Sequence, residues 1–340
     1  MNYLRRAVAR TQAQAILAVL HQDHPDAAER LGTSALYELR QWPGLEVRDV
    51  PDAPSGGGCS VSGAYFAGTR PVLAVARSAS LARRDFTALH ELGHHLQQTV
   101  VELMGALLAQ PDNGTALEDA ACDAFAAEIL LPDTLADQYV AVDGPTADAA
   151  VALWRAGNAS RMATCVKASE RLPAPGHILL LDTDGRLAFA ASHGLPPLRR
   201  GSDQSRVPAI RTALTGRGRT EGRARLAYRD GILGDELYLQ TAEMGGYFLA
   251  VAVTDLAPWK PFSPSARQSG PQGSDYICTH CGEDFTSYAP ACPRCESAPC
   301  PECDRCGCAP KTAERQCTAC FVLHPAAMYV GDSDRCRDCD

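Results

Sequence analysis

The sequence predicts an α+β protein with a helical core carrying a small β-sheet, then a β-rich middle domain, then a cysteine-rich tail. Three observations predict this order. Residues 1–145 place apolar side chains at the three- and four-residue spacing of helices. Residues 175–257 contain short apolar segments separated by turn residues, which is typical of strands. After residue 277 come 12 of the 15 cysteines, in closely spaced pairs.

The first unit, residues 1–145, begins with predicted helices at 3–22 and 33–41 and a short strand at 45–50. A Pro- and Gly-rich turn at 51–58 leads into a β-hairpin that ends in the apolar segment 71–76. Two further helices follow. The first carries an apolar stripe from Phe86 to Leu96, and the second is alanine-rich and stops at Pro132.

The first of these two helices contains His90-Glu91-x-x-His94. Histidines four residues apart lie on one face of a helix, one turn apart, and can bind the same metal ion. Glu91 lies beside them, where a carboxylate can take a proton from a water molecule that zinc has made acidic. The spacing therefore predicts a catalytic zinc site.

Such a site needs a third protein ligand, and the next helix offers acids at Glu118, Asp119, Asp123 and Glu128. Asp119 and Asp123 are four residues apart and share one face. Some of these carboxylates are expected to be merely solvated.

Together, the two helices resemble those of the ImmA/IrrE metallopeptidases. The resemblance covers about residues 30–135 and includes the hairpin strand Gly63-Ala64-Tyr65-Phe66. Its motifs are Phe86-Thr87 before His90-Glu91-x-x-His94, then Asp123-x-Phe125-Ala126-Ala127 and Ile129-Leu130-Leu131-Pro132.

The resemblance implies a zincin-like core in which His90 and His94 bind zinc and Glu91 is the general base. The family's third ligand is a glutamate at the position of Asp119, which is one methylene shorter. We expect Asp119 to be the ligand, with Glu118 as the alternative; if neither reaches the metal, the site would be weak or inactive. The implied substrate is a helix-turn-helix repressor, cleaved at one site in stress response, mobile-element or toxin–antitoxin regulation.

Residues 146–174 form a helical connector with a weak helix-turn-helix pattern, for which a short bundle is favoured over DNA binding. Residues 175–257 form a β-rich domain, sensor-like in some relatives, with a turn at Asp182-Thr183-Asp184-Gly185. The Arg- and Gly-rich segment 199–225 is predicted to be a solvated loop with a short helix, and a basic patch for a partner is the alternative. Residues 258–274 are a linker.

The tail, residues 275–340, predicts structural zinc sites. Cys278, Cys281, Cys292 and Cys295 have the spacing of one zinc ribbon. Eight further cysteines suit two more four-thiolate sites, arranged as another ribbon or as an interleaved cross-brace: Cys300, Cys303, Cys306, Cys308, Cys317, Cys320, Cys336 and Cys339. His280 and His324 are spare ligands. The predicted metal content is one catalytic and about three structural zinc ions.

A net charge of -8 excludes a general attraction for nucleic acid. The tail has few aromatic residues and many acids, so it is expected to contact protein, with nucleic acid as the alternative. No segment has the length and apolarity of a membrane span, and the N-terminus lacks the pattern of a secretion signal. A cytoplasmic location is therefore predicted. The competing hypothesis is a weakly active or inactive peptidase fold that acts as a regulatory binding or scaffold protein through its tail.

Overall fold

The computed structural model describes residues 3–51, 63–77, 80–110, 114–216, 218–228, 231–265, 273–280, 284–301, 305–308, 314–316 and 323–325. Its mixture of helices and separate sheets confirms the predicted α+β class. Six of the predicted zinc ligands lie outside the described residues: Cys281, Cys303, Cys317, Cys320, Cys336 and Cys339.

The first unit consists of six helices and three strands among the described residues. In chain order they are α1 (Tyr3–Asp23), α2 (Ala27–Leu39), β1 (Glu46–Val50), β2 (Gly63–Phe66), β3 (Val72–Ala76), α3 (Leu81–Thr99), α4 (Val101–Leu108), α5 (Thr115–Leu130) and α6 (Asp133–Tyr139). The sheet has the order β1-β3-β2, in which β1 runs parallel and β2 antiparallel to β3. Strand β2 therefore lies at one edge of this sheet.

Helix α2 starts earlier than predicted and is kinked. The backbone of Ser34 is extended, with φ -160° and ψ 92°, which interrupts the helix and leaves the next N–H groups without partners in the preceding turn. Asp85 of α3 provides a partner for one of these N–H groups, because its Oδ1 accepts a hydrogen bond from the backbone N–H of Leu36 at 2.9 Å. Burial raises the pKa of Asp85. This carboxylate fixes α2 against the start of α3.

The core of the first unit lies between α1, α2, α3, α5 and the small sheet. Phe125 of α5 and Leu89 and Leu92 of α3 are fully buried. Helices α3 and α5 therefore present one face to this core, and the polar residues of the two helices meet on another face.

The middle domain contains α7 (Ala147–Ala156), α8 (Arg161–Ser169), α9 (Pro208–Thr215) and a five-stranded antiparallel sheet. The sheet has the order β5-β4-β8-β7-β6. Its strands are β4 (Gly176–Leu181), β5 (Leu187–His193), β6 (Thr220–Ala227), β7 (Leu233–Glu243) and β8 (Phe248–Val253). Strand β6 lies largely in the segment predicted to be a loop. The sequence does not predict this strand because the alternation of arginines with Gly222, Ala224 and Leu226 is a weak strand pattern.

Both faces of this sheet are covered. Helices α7 and α8 pack on the face that carries Ile178, Leu180 and Val251. Helix α9 packs on the opposite face, which carries Leu179 and Ala250. The helices predicted as a connector thus form one layer of the middle domain.

Helix α8 also contacts the first unit. The ammonium group of Lys167, only 7% exposed as a residue, donates to Glu128 Oε2 at 2.9 Å and to Asp133 Oδ1 at 3.0 Å. Glu170, just after α8, pairs with Arg10 of α1. A buried ammonium needs such partners, so these ion pairs fix the position of α8 against α5 and α6.

The tail contains two short hairpins among its described residues, formed by β9 (Ser274–Ile277) with β10 (Asp284–Ser287) and by β11 (Glu314–Gln316) with β12 (Leu323–Pro325). The first hairpin adjoins the middle domain, since the Tyr288 ring meets the Tyr228 ring edge-on at 5.0 Å. None of the helices in the described ranges combines the length and apolarity needed to cross a membrane.

Candidate metal centres

Helix α3 brings the two motif histidines together. Nε2 of His90 and Nε2 of His94 are 3.1 Å apart, so the two rings direct the same nitrogen atom at one point. Both side chains are mostly buried, with 16% and 20% exposure. This arrangement follows from the four-residue spacing, and it leaves both Nδ1 atoms directed away from the shared point.

Helix α5 supplies a carboxylate to each Nδ1 atom. Nδ1 of His90 donates to Asp123 Oδ1 at 2.9 Å, and Nδ1 of His94 donates to Glu118 Oε1 at 2.8 Å. Gln98 donates to the same Glu118 oxygen at 2.8 Å. Carboxylates in this position fix the tautomer and ring orientation of metal-binding histidines and make Nε2 a better donor.

Asp119 lies on the Nε2 side of the site. Its Oδ1 is 3.4 Å from Nε2 of His90, and its side chain is 67% exposed. Burial lowers the pKa of His90, but Asp119 and Asp123 outweigh burial and raise this pKa to about 10. Asp119 therefore lies at Nε2 of His90, on a side of the site that is open to solvent.

Glu91 is the buried acid of the motif, with 6% exposure. Burial raises its pKa, and the two neighbouring histidines oppose this effect. Its side chain lies against Gly63 on the edge strand β2, where a Cβ atom would be only 2.8 Å from Glu91 Oε1 and 2.3 Å from Thr87 Cγ2. Glycine at position 63 therefore allows strand β2 to approach the motif helix closely.

Cys122 of α5 is fully buried beneath the histidines. Its Sγ and one ring nitrogen each of His90 and His94 lie within 4.8 Å of one another. Burial strongly raises the pKa of this thiol, and Gln97 donates a hydrogen bond to Sγ at 3.2 Å. A Cβ atom at Gly93 would lie 2.9 Å from Sγ, so Gly93 and Cys122 together set the close approach of α3 and α5.

A cavity of about 460 Å³ opens beside this centre, between α1, α3, α5 and α8. Asp123 and Phe86 line it on the side of the histidines, and Phe189 of β5 lines it on the side of the middle domain. Its wall is largely apolar, with Met162 and Val166 of α8 contributing exposed surface.

The tail brings four thiols together in a second centre. Sγ atoms of Cys292, Cys295, Cys306 and Cys308 all lie within 4.8 Å of one another, and Cys292 Sγ is 3.7 Å from Cys308 Sγ. Backbone N–H groups of Arg294 and Cys295 lower the pKa of Cys292 to about 6. Four thiols at this spacing match the tetrahedral donor set of a structural zinc site.

This grouping differs from the predicted first ribbon, which joins Cys292 and Cys295 to Cys278 and Cys281; Cys281 lies outside the described residues, so that ribbon stays a prediction. The chain turns at Gly307 so that Cys306 and Cys308 reach the second pair, and a Cβ at Gly307 would lie 3.2 Å from Cys295 Cβ. Cys278 instead packs with Cys300 and Phe285 in the small core of the tail. His280, a predicted spare ligand, has Nε2 3.2 Å from the carbonyl oxygen of Cys306.

The sequence predicts that Asp119 and Asp123 share one face of a helix, but it does not predict that Asp123 orients a histidine. The four-residue spacing of the two aspartates did not indicate that role, because Asp119 and Asp123 both contact His90, whereas His94 contacts Glu118. Glu118, weighed as an alternative ligand, holds His94 at Nδ1 rather than at the converging nitrogen.

Residues 53–169 match the model of the Peptidase_M78 family, described as the IrrE N-terminal-like domain, and the match ends at the last residue of α8. This match confirms the resemblance that the two helix motifs predicted. No curated protein matches the sequence. Among solved structures, a Mycobacterium tuberculosis transcriptional regulator is 14% identical with a TM-score of 0.38, over 72% of this chain and 80% of that one. That similarity is too low to assign a fold or a function.

Proposed function

We propose that this IrrE N-terminal-like domain is a zinc-dependent endopeptidase. The observation that carries the proposal is the pairing of each motif histidine with a carboxylate at Nδ1 while the two Nε2 atoms converge at 3.1 Å. Because a carboxylate occupies each Nδ1 atom, the two Nε2 atoms are left to share either one proton or a metal ion. A metal ion between them gives that geometry a purpose.

The donor set fits zinc. His90, His94 and Asp119 would hold the ion, with Asp123 and Glu118 orienting the two rings. Two imidazoles and a carboxylate are ligands that catalytic zinc sites use, and the exposure of Asp119 leaves room for a substrate group. Bound zinc would supply Lewis acidity, which lowers the pKa of water and polarises a scissile carbonyl group.

Glu91 would perform the proton transfers. Its buried carboxylate, with a pKa raised by that burial, suits a general base that accepts a proton from the attacking water and passes it to the leaving amine. Thr87 and Gly63 pack around this side chain, so its position is set by β2 as well as by α3.

The edge strand β2 would bind the substrate. Among the described strands of its sheet β2 is an edge strand, with which an extended peptide could pair, and Gly63 on this strand lies against Glu91. The apolar cavity beside Asp123 would then receive a side chain of the bound segment. Such a site requires an extended or locally unfolded stretch of a protein, which suits single-site cleavage.

The family resemblance directs the choice of substrate to a helix-turn-helix repressor, whose cleavage would switch on genes of stress response or mobile-element control. We would co-express the full chain with the repressor encoded nearest its gene and record intact masses of the repressor. Two fragments whose masses sum to the repressor plus one water molecule are expected.

The matched variants are Glu91→Gln and Glu102→Gln. Both remove one carboxylate, but Glu102 is exposed and lies on α4, outside the motif helix. Cleavage should fall by at least about 100-fold in Glu91→Gln and stay unchanged in Glu102→Gln. Equal cleavage by the wild type and Glu91→Gln would contradict the peptidase proposal.

A second candidate function is a regulatory binding protein with a weak or inactive metal site. The observation that favours it is Asp119, which is shorter than the glutamate of the family and does not join His90 and His94 in their donor cluster, where Cys122 is the third member. If the repressor co-purifies intact with the wild type and with Glu91→Gln, this candidate replaces the first.

The tail would hold structural zinc at Cys292, Cys295, Cys306 and Cys308 and serve as a docking module for protein partners. Its thiols require a reducing compartment such as the cytoplasm, because disulfide formation would compete with metal binding. Nucleic acid remains a second partner class, to be tested with the same purified chain.

A further inference from the structure

The middle domain carries a groove of about 960 Å³ between the start of α9 and strands β6 and β7. Among the described residues, five arginines and two carboxylates line it, and the carboxylates are Asp203 and Glu236. The arginines are Arg199, Arg200, Arg206, Arg223 and Arg225. This part of the chain is basic, although the whole chain has a net charge of -8.

Both carboxylates are already engaged. Glu236 Oε2 accepts from Arg223 Nη1 at 2.6 Å, and Asp203 Oδ1 accepts from the backbone N–H of Ser205 at 2.9 Å. Arg223 is further held by Tyr238, whose OH accepts from Nη2 at 2.7 Å. The groove therefore has a fixed cation in its wall, and its carboxylates are committed to neighbours within the protein.

Arg200 and Arg206 are exposed at the opposite rim, on the loop that leads into α9. Val207 and Pro208, at the first turn of α9, also line the groove, so the positive end of that helix faces it. Gly201, with φ +82°, turns the loop between Arg200 and the helix. The loop, the helix and the strands thus direct positive charge into one concavity.

We propose that this groove binds a small molecule that carries at least two phosphate groups. Guanidinium groups match phosphate in charge and in the geometry of paired hydrogen bonds, and several around one concavity favour more than one phosphate. The volume suits a nucleotide-sized ligand. A nucleic-acid polymer would extend beyond the groove over a chain of net negative charge and gain less there.

The test is calorimetric titration of the full chain at low salt with ATP, inorganic tripolyphosphate, adenosine and a 20-base-pair DNA duplex. One ATP or one tripolyphosphate per chain should bind, and adenosine should not. Equal affinity for the two would assign recognition to the polyphosphate, whereas tighter binding of ATP would assign a contribution to the nucleoside.

The variant Arg200→Ala/Arg206→Ala should weaken this binding at least tenfold. Its matched control is Arg70→Ala/Arg155→Ala, which removes two exposed arginines far from the groove in sequence and changes the net charge equally. Thermal unfolding of both variants should match the wild type. Absence of binding at 1 mM of either ligand, equal weakening in the control variant, or tighter binding of the duplex would overturn the proposal. Each of these outcomes is independent of peptidase activity.

Discussion

The two candidate metal centres differ in what holds their potential ligands in place. His90 and His94 lie on a helix of 19 residues that packs into the largest buried cluster of the molecule. Cys292 and Cys295 lie in a segment whose own described core consists of Cys278, Phe285, Ala298 and Cys300. In the first centre a large apolar core positions the ligands. In the second centre the cysteines themselves make up much of what holds the segment together.

This difference teaches how each centre should respond to the loss of metal. Apolar burial stabilises α3 and α5 whether or not an ion is bound, and their histidines are already oriented by carboxylates. The described part of the tail has only a small apolar core, so we expect metal binding to supply its stability. Removal of metal should therefore abolish function in one region and folding in the other.

The largest expected effect is that of Cys295→Ser. Losing one of four thiolates should release one zinc ion per chain and unfold the described tail, because structural zinc contributes about 10–16 kcal/mol in zinc-finger peptides. Native mass spectrometry would count the ions, and hydrogen exchange would compare the tail with residues 80–216.

The matched control is Cys165→Ser, a change in a fully buried thiol of the middle domain. It should lower the stability of that domain and leave the zinc count unaltered. A folded tail in Cys295→Ser would contradict the claim that metal binding supplies the stability of the tail.

The sequence predicts the histidine centre better than the cysteine centre, because the histidines lie on one helix and the cysteine pairs are joined by loops. The spacing of His90, Glu91 and His94 determines their relative positions because a helix has a fixed period. The partners of Glu118 and Asp123 depend on how α3 and α5 cross, which a single sequence does not encode locally. The cysteine pairs are joined by loops, and a loop can bring together successive pairs or alternate pairs with equal ease.

The next effect is that of Asp119→Asn on metal affinity. The amide removes the negative charge that the third donor contributes, so zinc should bind the helix centre more than about 100-fold more weakly, which exceeds the usual effect of an orienting residue. The unfolding temperature of the metal-free protein should stay unchanged, and competition with a chelating dye would measure the affinity. Asp143→Asn, an exposed change on a loop, is the control. If Asp143→Asn and Asp119→Asn behave alike, Asp119 is not a ligand.

Asp123→Asn should have a smaller effect on the same measurement. It weakens the hydrogen bond that orients His90 without removing a ligand, for which a loss of about 10- to 100-fold in metal affinity is expected. Glu118→Gln should act similarly through His94. A loss as large as that of Asp119→Asn would instead point to direct ligation by Asp123.

The smallest effect tests the claim that packing alone positions the helix centre. Gly93→Ala places a Cβ atom 2.9 Å from Cys122 Sγ and 3.2 Å from its Cα, so the helices must separate, at a cost of about 1–3 kcal/mol. Gly105→Ala, on α4 with no atom within 4 Å of the new Cβ, should be neutral or stabilising. Urea unfolding of the metal-free protein would measure both, and equal stability of the two variants would show that α3 and α5 tolerate a wider separation.

The position of helix α8 limits how genes could recombine to produce chains of this kind. One side of the helix covers the β4–β5 side of the middle sheet, and Lys167 anchors it to Glu128 and Asp133 of the first unit. A recombination point between α6 and α7 would separate Glu128 and Asp133 from Lys167. A recombination point after α8 would separate the middle sheet from α7 and α8, which cover one of its faces. The first unit and the middle domain are therefore expected to be inherited together. The nearest position at which recombination would preserve both lies after the middle domain.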